Sequence, residues 1–359
     1  MDADLNREVM RLDITIDEDN VTPGILAVLK SVRPQWKESD IKQKVFTDGI
    51  TNKLIGCYVG AFDDVVLIRI YGKKTELIID RQAEQMNMRL LNSIGAAKPL
   101  YCVYNNGLAY GFIHGSVTDD VIVRDPHVSG LIAREMALIH SIKYSDIPNT
   151  NGRPCESSYF NTLKKYLALR PKSFDDPDKN NRFVNEVPSV AKLETELRQL
   201  RDVVESFGAS PVFSHNDLLL KNMVYNKKDD RTYFIDYEYA AFNYYGYDIG
   251  NHFCEWAGLD VVDYDKLPKK DEQLPWLRKY LEYKHDIEGR SDAPITEELV
   301  ETLYEQVQVF MLMAHLFWGM WAVIQAAHST LDFDFLDYAV VRFNEYFREK
   351  NECILVNRV

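Results

Sequence analysis

Val212-Phe213-Ser214-His215-Asn216-Asp217-Leu218-Leu219-Leu220-Lys221-Asn222 reads as a short apolar strand that delivers His-x-Asp, with an asparagine five residues after the aspartate. A second stretch, Tyr233-Phe234-Ile235-Asp236-Tyr237-Glu238-Tyr239, is another apolar run that ends in an aspartate. Strand ends hold side chains rigidly at the rim of a cleft. Taken singly, Asp217 and Asn222 are equally readable as turn residues and Asp236 as a loop acid, because short motifs recur by chance. Two strand-plus-aspartate stretches so close together point instead to one site.

The chemistry that needs these parts is phosphoryl transfer from ATP. A carboxylate stands beside the attacking hydroxyl, and an amide with a second carboxylate binds magnesium. The bulk properties leave room for this. A chain of 359 residues with 46% apolar and 12% aromatic residues can bury a sizeable core and is not disordered. A net charge of -13 argues against a general nucleic-acid binder, which needs a basic surface. The cysteines (Cys57, Cys102, Cys155, Cys254, Cys353) are odd in number and lack C-x-x-C spacing, as expected of a reduced cytoplasmic chain without a disulfide or zinc framework. The start is acidic and shows no signal-peptide pattern. Val309 to Ala327 is nearly long enough to span a bilayer, but His315 interrupts it and no Lys or Arg occurs between Ser291 and Val341, so it reads as a buried core helix.

Upstream, Val21-Thr22-Pro23 opens a helix, with Thr22 as the expected cap and Ile25, Leu26, Val28, Leu29 and Val32 as the buried stripe. Val45 to Val59 reads as strand, tight turn, strand. Its turn, Asp48-Gly49-Ile50-Thr51-Asn52-Lys53, has the small residue and side-chain donors of a phosphate lid, and equally of an ordinary hairpin. Val65 to Tyr71 is a central strand carrying Arg69. A cation in an apolar strand needs a partner, and Glu84, in the first turns of the helix Arg81–Ile94 capped by Asp80, is the obvious one. Strand cation, helix carboxylate and phosphate form the triangle that kinases build; a purely structural ion pair has the same spacing. The hairpin Pro99–Tyr104 and Leu108–Ile113, turned at Asn105-Asn106-Gly107, precedes a boundary near 113–118.

Downstream, Pro126–Ile142 and Ser189–Phe207 read as helices, with His140 as a core or capping residue. Residues 170–185 read as a surface loop, and 260–294 as a charged, Pro-broken loop-helix insertion. Phe317, Trp318, Trp321, Phe333, Phe335 and Tyr338 lie among acids and no bases, which suits a small organic cation. Trp318 and Trp321 share a helix face. On spacing alone these aromatics are as well explained as core.

His215-Asn216-Asp217 with Asn222, Phe234 to Tyr239, Tyr247 to Trp256, and Phe317-Trp318-Gly319-Met320-Trp321 together resemble the choline/ethanolamine kinase family, over about 46–347. Within it, Leu218 to Lys221 and Phe46 to Lys53 are more similar to the ethanolamine-specific members. The resemblance implies an α+β, two-lobed protein-kinase-like fold. Its N-lobe (1–115) would have an antiparallel sheet and one main helix and bind nucleotide; its larger helical C-lobe (116–359) would hold catalysis and substrate. It implies ATP and magnesium as cofactors. Asp217 would orient the substrate hydroxyl and take its proton, and Asn222 and Asp236 would hold the metal. Arg69 with Glu84 would hold phosphates under residues Asp48 to Lys53, and Gly111, Phe112 and Ile113 would meet adenine. Arg69 departs from the usual kinase lysine but agrees with this family; Gly111, where relatives often have a polar residue, puts a side-chain contact to adenine in doubt. Glu255, Trp318, Trp321 and Tyr338 would bind the amine of ethanolamine, with choline as the alternative. No nucleic acid and no stable membrane insertion are implied, and a homodimer is compatible. Two further readings stand beside this one: a silent kinase-like binding module, which should lack Asp217, Asn222 or Asp236, and an aminoglycoside-type phosphotransferase, which shares the His-x-Asp core but not the Trp-x-x-Trp helix.

Overall fold

The computed structural model describes residues 8–46, 52–72, 78–147, 155–259, 261–329 and 331–357. The chain divides into two compact units. One comprises Met1–Val117 with Val224–Tyr239, the other Thr118–Met223 with Ala240–Val359. The boundary expected from sequence, 115/116, is a single cut, whereas the observed units are not contiguous in sequence.

The first unit is built on a six-stranded sheet ordered β1-β5-β6-β4-β3-β2, with β1 Met10–Leu12, β2 Ile41–Phe46, β3 Lys53–Val59, β4 Val66–Ile70, β5 Leu100–Tyr104 and β6 Gly107–Gly111. All neighbours are antiparallel except β1, which runs parallel to β5. Helix α1 (Val21–Val32) covers one face. Its Ile25, Val28 and Leu29 pack with Ile55 and Cys57 of β3 and with Val66, Ile68 and Ile70 of β4. Thr22 lies inside the first turn; the cap position is Asn20, and its side chain makes no capping bond. Because strand side chains alternate, Leu67 and Arg69 turn to the opposite face, that of helix α2 (Arg81–Ser93). Asp80 caps α2 as expected, accepting from Gln82 N and Ala83 N at 3.0 Å. At the β5–β6 turn, Asn106 accepts from Ile16 N at 3.0 Å and donates to Ile16 O at 2.8 Å, which ties the turn to the segment after β1.

A smaller sheet explains why the division is not one cut. Strand β7 (Ser116–Val117) pairs with β9 (Met223–Asn226), which pairs with β10 (Arg231–Phe234), so the hairpin leading to Asp236 belongs with the first unit.

The second unit contains β8 (Val212–Ser214) paired antiparallel with β11 (Ala241–Asn243), and helices α3 (Pro126–His140), α4 (Tyr159–Leu169), α5 (Pro177–Glu186), α6 (Val190–Ser206), α7 (Tyr245–Cys254), α8 (Lys270–Ile287), α9 (Glu297–His328), α10 (Phe335–Glu352) and the short α11 (Ile354–Asn357). Two segments differ from expectation. Residues 170–185 contain α5, capped by Asp176 with Pro177 in the first turn; only Phe183 is buried, so its periodicity is faint. Residues 260–294 form the expected loop-helix segment, but Pro275 does not break its helix: the 18-residue α8 runs through it, with Trp276, Leu277, Tyr280 and Leu281 buried. The apolar 309–327 run sits in α9 as a core helix, with 94% of its most apolar window inside the protein.

Helices α7 and α9 approach closely because α7 presents Gly246 and Gly250, four apart on one face. A Cβ at Gly250 would stand 2.7 Å from Met311 N and 2.8 Å from Phe310 C, which are backbone atoms that cannot rotate away. Alanine is intrinsically the better helix residue by about 1 kcal/mol, but this clash with backbone outweighs it. Gly250→Ala is expected to destabilise by about 1–3 kcal/mol, seen as a lower Tm; an unchanged or raised Tm would show that the contact is not constraining.

Candidate active site

In the second unit the reactive loop is organised from below by a buried carboxylate. Asp248 on α7 is fully buried. Its Oδ2 accepts from His215 N at 2.7 Å and its Oδ1 from Asn216 N at 2.6 Å. Such short bonds to an ionised acceptor are strong. Oδ2 is also 3.1 Å from Nε2 of His140, whose Nδ1 lies 2.8 Å from the Tyr280 hydroxyl. Burial pushes His140 down despite Asp248, so the ring is neutral, donating to Asp248 and accepting from Tyr280. Asn216 adopts φ 67°, a conformation asparagine tolerates better than most residues. Its Oδ1 accepts from Asn243 Nδ2 at 2.8 Å.

This loop delivers Asp217, which is 7% exposed. Asn222 Nδ2 donates to Asp217 O at 2.8 Å and Oδ2 at 3.3 Å. The Asn222 amide is thereby turned so that Oδ1 stays available as an oxygen ligand. Asp217 and Asn222, paired in the sequence reading, are hydrogen-bonded to each other, while the carboxylate that holds the backbone of the two residues before Asp217 was given no role there.

In the first unit, Arg69 lies between two carboxylates. Nη1 meets Glu84 Oε1 and Nη2 meets Asp236 Oδ1, each at 2.8 Å. The expected counterion is thus in place. Asp236 also has a positive φ of 67°. Arg81 extends the network, reaching Glu84 Oε2 at 3.0 Å and Glu238 Oε2 at 3.1 Å, with Tyr71 beneath its guanidinium at 4.0 Å. Asn52 joins it: Nδ2 donates to Glu238 Oε2 at 3.2 Å and Oδ1 accepts from Arg81 at 3.3 Å. Two guanidiniums therefore face three carboxylates. Burial, with Asp236 next to it, pushes Glu238 up to about 7. A cation added here would relieve that excess of negative charge.

The other nucleotide-site expectations fare unevenly. Asp48, Gly49, Ile50 and Thr51 lie outside the described residues. Lys53 opens β3, and its Nζ donates to Glu18 O at 3.1 Å. Gly111 ends β6; its N–H is taken by Pro99 O, and a Cβ there would lie 2.9 Å from Lys98 Cβ. Phe112 packs into an aromatic cluster with Phe46, Phe62 and His114, and Ile113 is buried.

Back in the second unit, Trp318 and Trp321 do share a face of α9, with ring centroids 5.4 Å apart and nearly perpendicular. Trp318 Nε1 donates to Asn251 Oδ1 at 2.7 Å, which fixes the indole plane. Trp321 continues to Phe335, and Phe333 bridges Phe335 and Tyr338. Glu255 follows α7 in a 3-10 turn and is buried, but not alone: Arg342 Nη1 reaches its Oε1 at 3.2 Å. The base-free stretch noted in the sequence ends one residue before this arginine.

The chain as a whole is similar to known proteins. A family model described as choline/ethanolamine kinase matches residues 43–347. The chain belongs to the choline/ethanolamine kinase family. Over 349 residues it is 47% identical to ethanolamine kinase 1 of Mus musculus, covering 96% of this chain and 94% of the mouse one. An ethanolamine kinase structure from Plasmodium vivax aligns with a TM-score of 0.78 at 28% identity, over 92% of this chain and 89% of that one. A choline kinase structure from Cryptosporidium parvum, at 24% identity and TM-score 0.73 over 93% and 96% of the two chains, shares the fold. The fold is protein-kinase-like, and the chain is a small-molecule kinase.

Within this kinase, sequence reasoning gave no role to Asp248, Asn251, Arg81, Glu238 or Arg342, each of which is bonded to a residue predicted for a site or to the backbone leading to one. Asp248 and Asn251 stood in the quoted Tyr247 to Trp256 run without roles, because a buried acceptor of backbone N–H groups has no spacing signature. Asp248→Asn tests the clamp. An amide offers one oxygen for two N–H donors and turns an NH2 toward the other. Bonds to a charged acceptor are worth about 1.5–3 kcal/mol each, so kcat is expected to fall at least about tenfold with the fold retained by circular dichroism. Wild-type kcat would show that the loop holds without the carboxylate.

Proposed function

We propose that this kinase transfers the γ-phosphoryl group of ATP to the hydroxyl of ethanolamine, giving phosphoethanolamine and ADP, the entry to phosphatidylethanolamine synthesis by the CDP-ethanolamine route. One observation carries the choice of substrate: 47% identity across 96% of the chain to a protein named ethanolamine kinase 1.

The chemistry follows from the side chains. Asp217 orients the acceptor hydroxyl and receives its proton as the new O–P bond forms and the bond to ADP breaks. Asp248 supports this by holding the two residues before Asp217 through their backbone N–H groups. Asn222 and Asp236 are the proposed magnesium ligands. Both offer hard oxygen donors, and among the described residues no three His, Cys, Asp or Glu side chains gather as a closed metal cage. That donor set fits magnesium, which takes one or two protein ligands and completes its shell with phosphates and water. When bound, the metal would offset the phosphate charge. Arg69, kept in place by Glu84, is assigned to the phosphates, as are Asp48 to Lys53. The Gly111–Ile113 backbone is assigned to adenine. Lys53 and Asn52 reach these roles only by leaving Glu18 O and the Glu238–Arg81 network.

The amine is assigned to Glu255, Trp318, Trp321 and Tyr338. A primary ammonium needs carboxylate acceptors, and aromatic faces add cation–π attraction. The same faces suit choline, whose quaternary nitrogen has no N–H to donate, so dual use is the second reading. Five free cysteines, four of them buried, support a cytoplasmic setting.

The test is steady-state ATP consumption with magnesium, comparing ethanolamine and choline. A higher kcat/KM for ethanolamine is expected, with kcat reduced about 10²–10⁴-fold in Asp217→Ala. Preference for choline would keep the reaction and overturn the substrate, whereas no turnover with either would overturn the reading.

A further inference from the structure

We infer that Arg342 is a positioning residue for the amine site, holding the Glu255 carboxylate ionised and turned so that Oε2 is left to accept from the substrate's ammonium. The inference rests on the assignment of Glu255 to the amine.

Burial is the first observation. Arg342 is 1% exposed and Glu255 2%, so both charges have been taken almost fully out of water. A buried ion pair is a weak stabiliser, since apolar residues of similar volume hold two elements together as well or better. Holding the turn after α7 against α10 does not by itself call for a guanidinium.

The second observation is how the pair is wired. Among the described residues, Arg342 is the hydrogen-bond donor to the Glu255 side chain, and it engages Oε1 alone. In the other direction, Arg342 Nε and Nη2 have no hydrogen-bond partner among those residues, so Glu255 is the carboxylate the guanidinium serves. One oxygen is fixed and the other is left for a further donor. A primary ammonium is such a donor.

The third observation is place. Arg342 lies one turn after Tyr338 on α10, hence on the same face, with its guanidinium 5.7 Å from the Tyr338 ring centroid. It thus adjoins both Glu255 and Tyr338, two of the residues assigned to the amine.

Electrostatics gives the pairing its consequence. Burial pushes Glu255 up, and Arg342 opposes this through its charge and its hydrogen bond. The other groups around the pair are the phenols of Tyr247, Tyr264 and Tyr338 and the thiol of Cys254, all pushed up by burial, and the imidazole of His315, pushed well down by burial and by Arg342, so that all are neutral. Glu345 and Glu349, farther along α10, are bonded to Arg348. Arg342 is thus the charge that keeps Glu255 from binding a proton in place of the substrate.

The experiment measures KM for ethanolamine from about pH 6 to about pH 8.5 with the full chain. Arg342→Met, Arg342→Lys, Glu255→Gln and the Arg342→Met/Glu255→Gln double variant are compared with wild type. Losing the guanidinium strengthens the hold of Glu255 on its proton, and each pH step of about 1 in its titration is about a tenfold change in that affinity. Arg342→Met is therefore expected to raise KM about tenfold or more near pH 7, with kcat at saturation and KM for ATP close to wild type. Its KM should fall as pH rises, over a window displaced to higher pH than in wild type. Arg342→Lys should restore most of the loss, and Arg342→Met should add nothing on the Glu255→Gln background. Arg342→Gln, which keeps a hydrogen bond without the charge, supplies the same readout if the methionine variant does not fold. A profile parallel to wild type, a loss additive with Glu255→Gln, or a lowered KM would overturn the inference. If Glu255→Gln itself leaves KM unchanged, the assignment of the amine site fails, and this inference falls with it.

Discussion

The loop that carries Asp217 depends on one buried carboxylate. Asp248 accepts from the backbone N–H of both His215 and Asn216, at 2.7 and 2.6 Å, in a place with no water to compete. A carboxylate there is stable only because those donors, and the ring of His140, are already aimed at it. The dependence is mutual. The loop needs the acceptor because Asn216 takes a left-handed conformation, and the charge needs the loop because it is out of solvent. Helix α7, which carries Asp248, is itself seated against α9 through Gly246 and Gly250. Backbone packing two helices away is thus linked to the position of Asp217.

The first unit solves a different electrostatic problem. Its buried network holds more carboxylate than guanidinium, and Glu238 responds by rising to about 7. A structural ion pair alone would be served by Arg69 and Glu84. The additional acids leave the network with an excess of negative charge. The second unit differs at Glu255, where one acid is matched by one arginine whose guanidinium lies 5.7 Å from the Tyr338 ring.

Much of this was legible in the sequence, and for identifiable reasons. Arg69 had to have a partner because a cation in a fully apolar strand is too costly alone, and Glu84 was within reach on the next helix. The burial of the 309–327 run followed from its lack of flanking basic residues. Asp80 announced α2 by its cap. Other features were hidden. Helix α5 has one buried residue and so almost no periodicity, and α8 contains a proline that reads locally as a break. Nor does local pattern announce that the Asn52 amide is engaged by Glu238 and Arg81 and the Lys53 ammonium by the Glu18 carbonyl.

Local pattern therefore determined the family: His215 to Asp217, Asn222, Asp236 and the Trp-x-x-Trp helix are set by type and spacing along the chain. Tertiary structure alone decided which charges meet. The pairs Arg69–Asp236, Arg81–Glu238 and Arg342–Glu255 join residues 167, 157 and 87 positions apart. Asp248 acts on backbone groups that every residue has. Neither kind of contact leaves a mark in local sequence, because it exists only once burial has removed the water that would otherwise satisfy those groups.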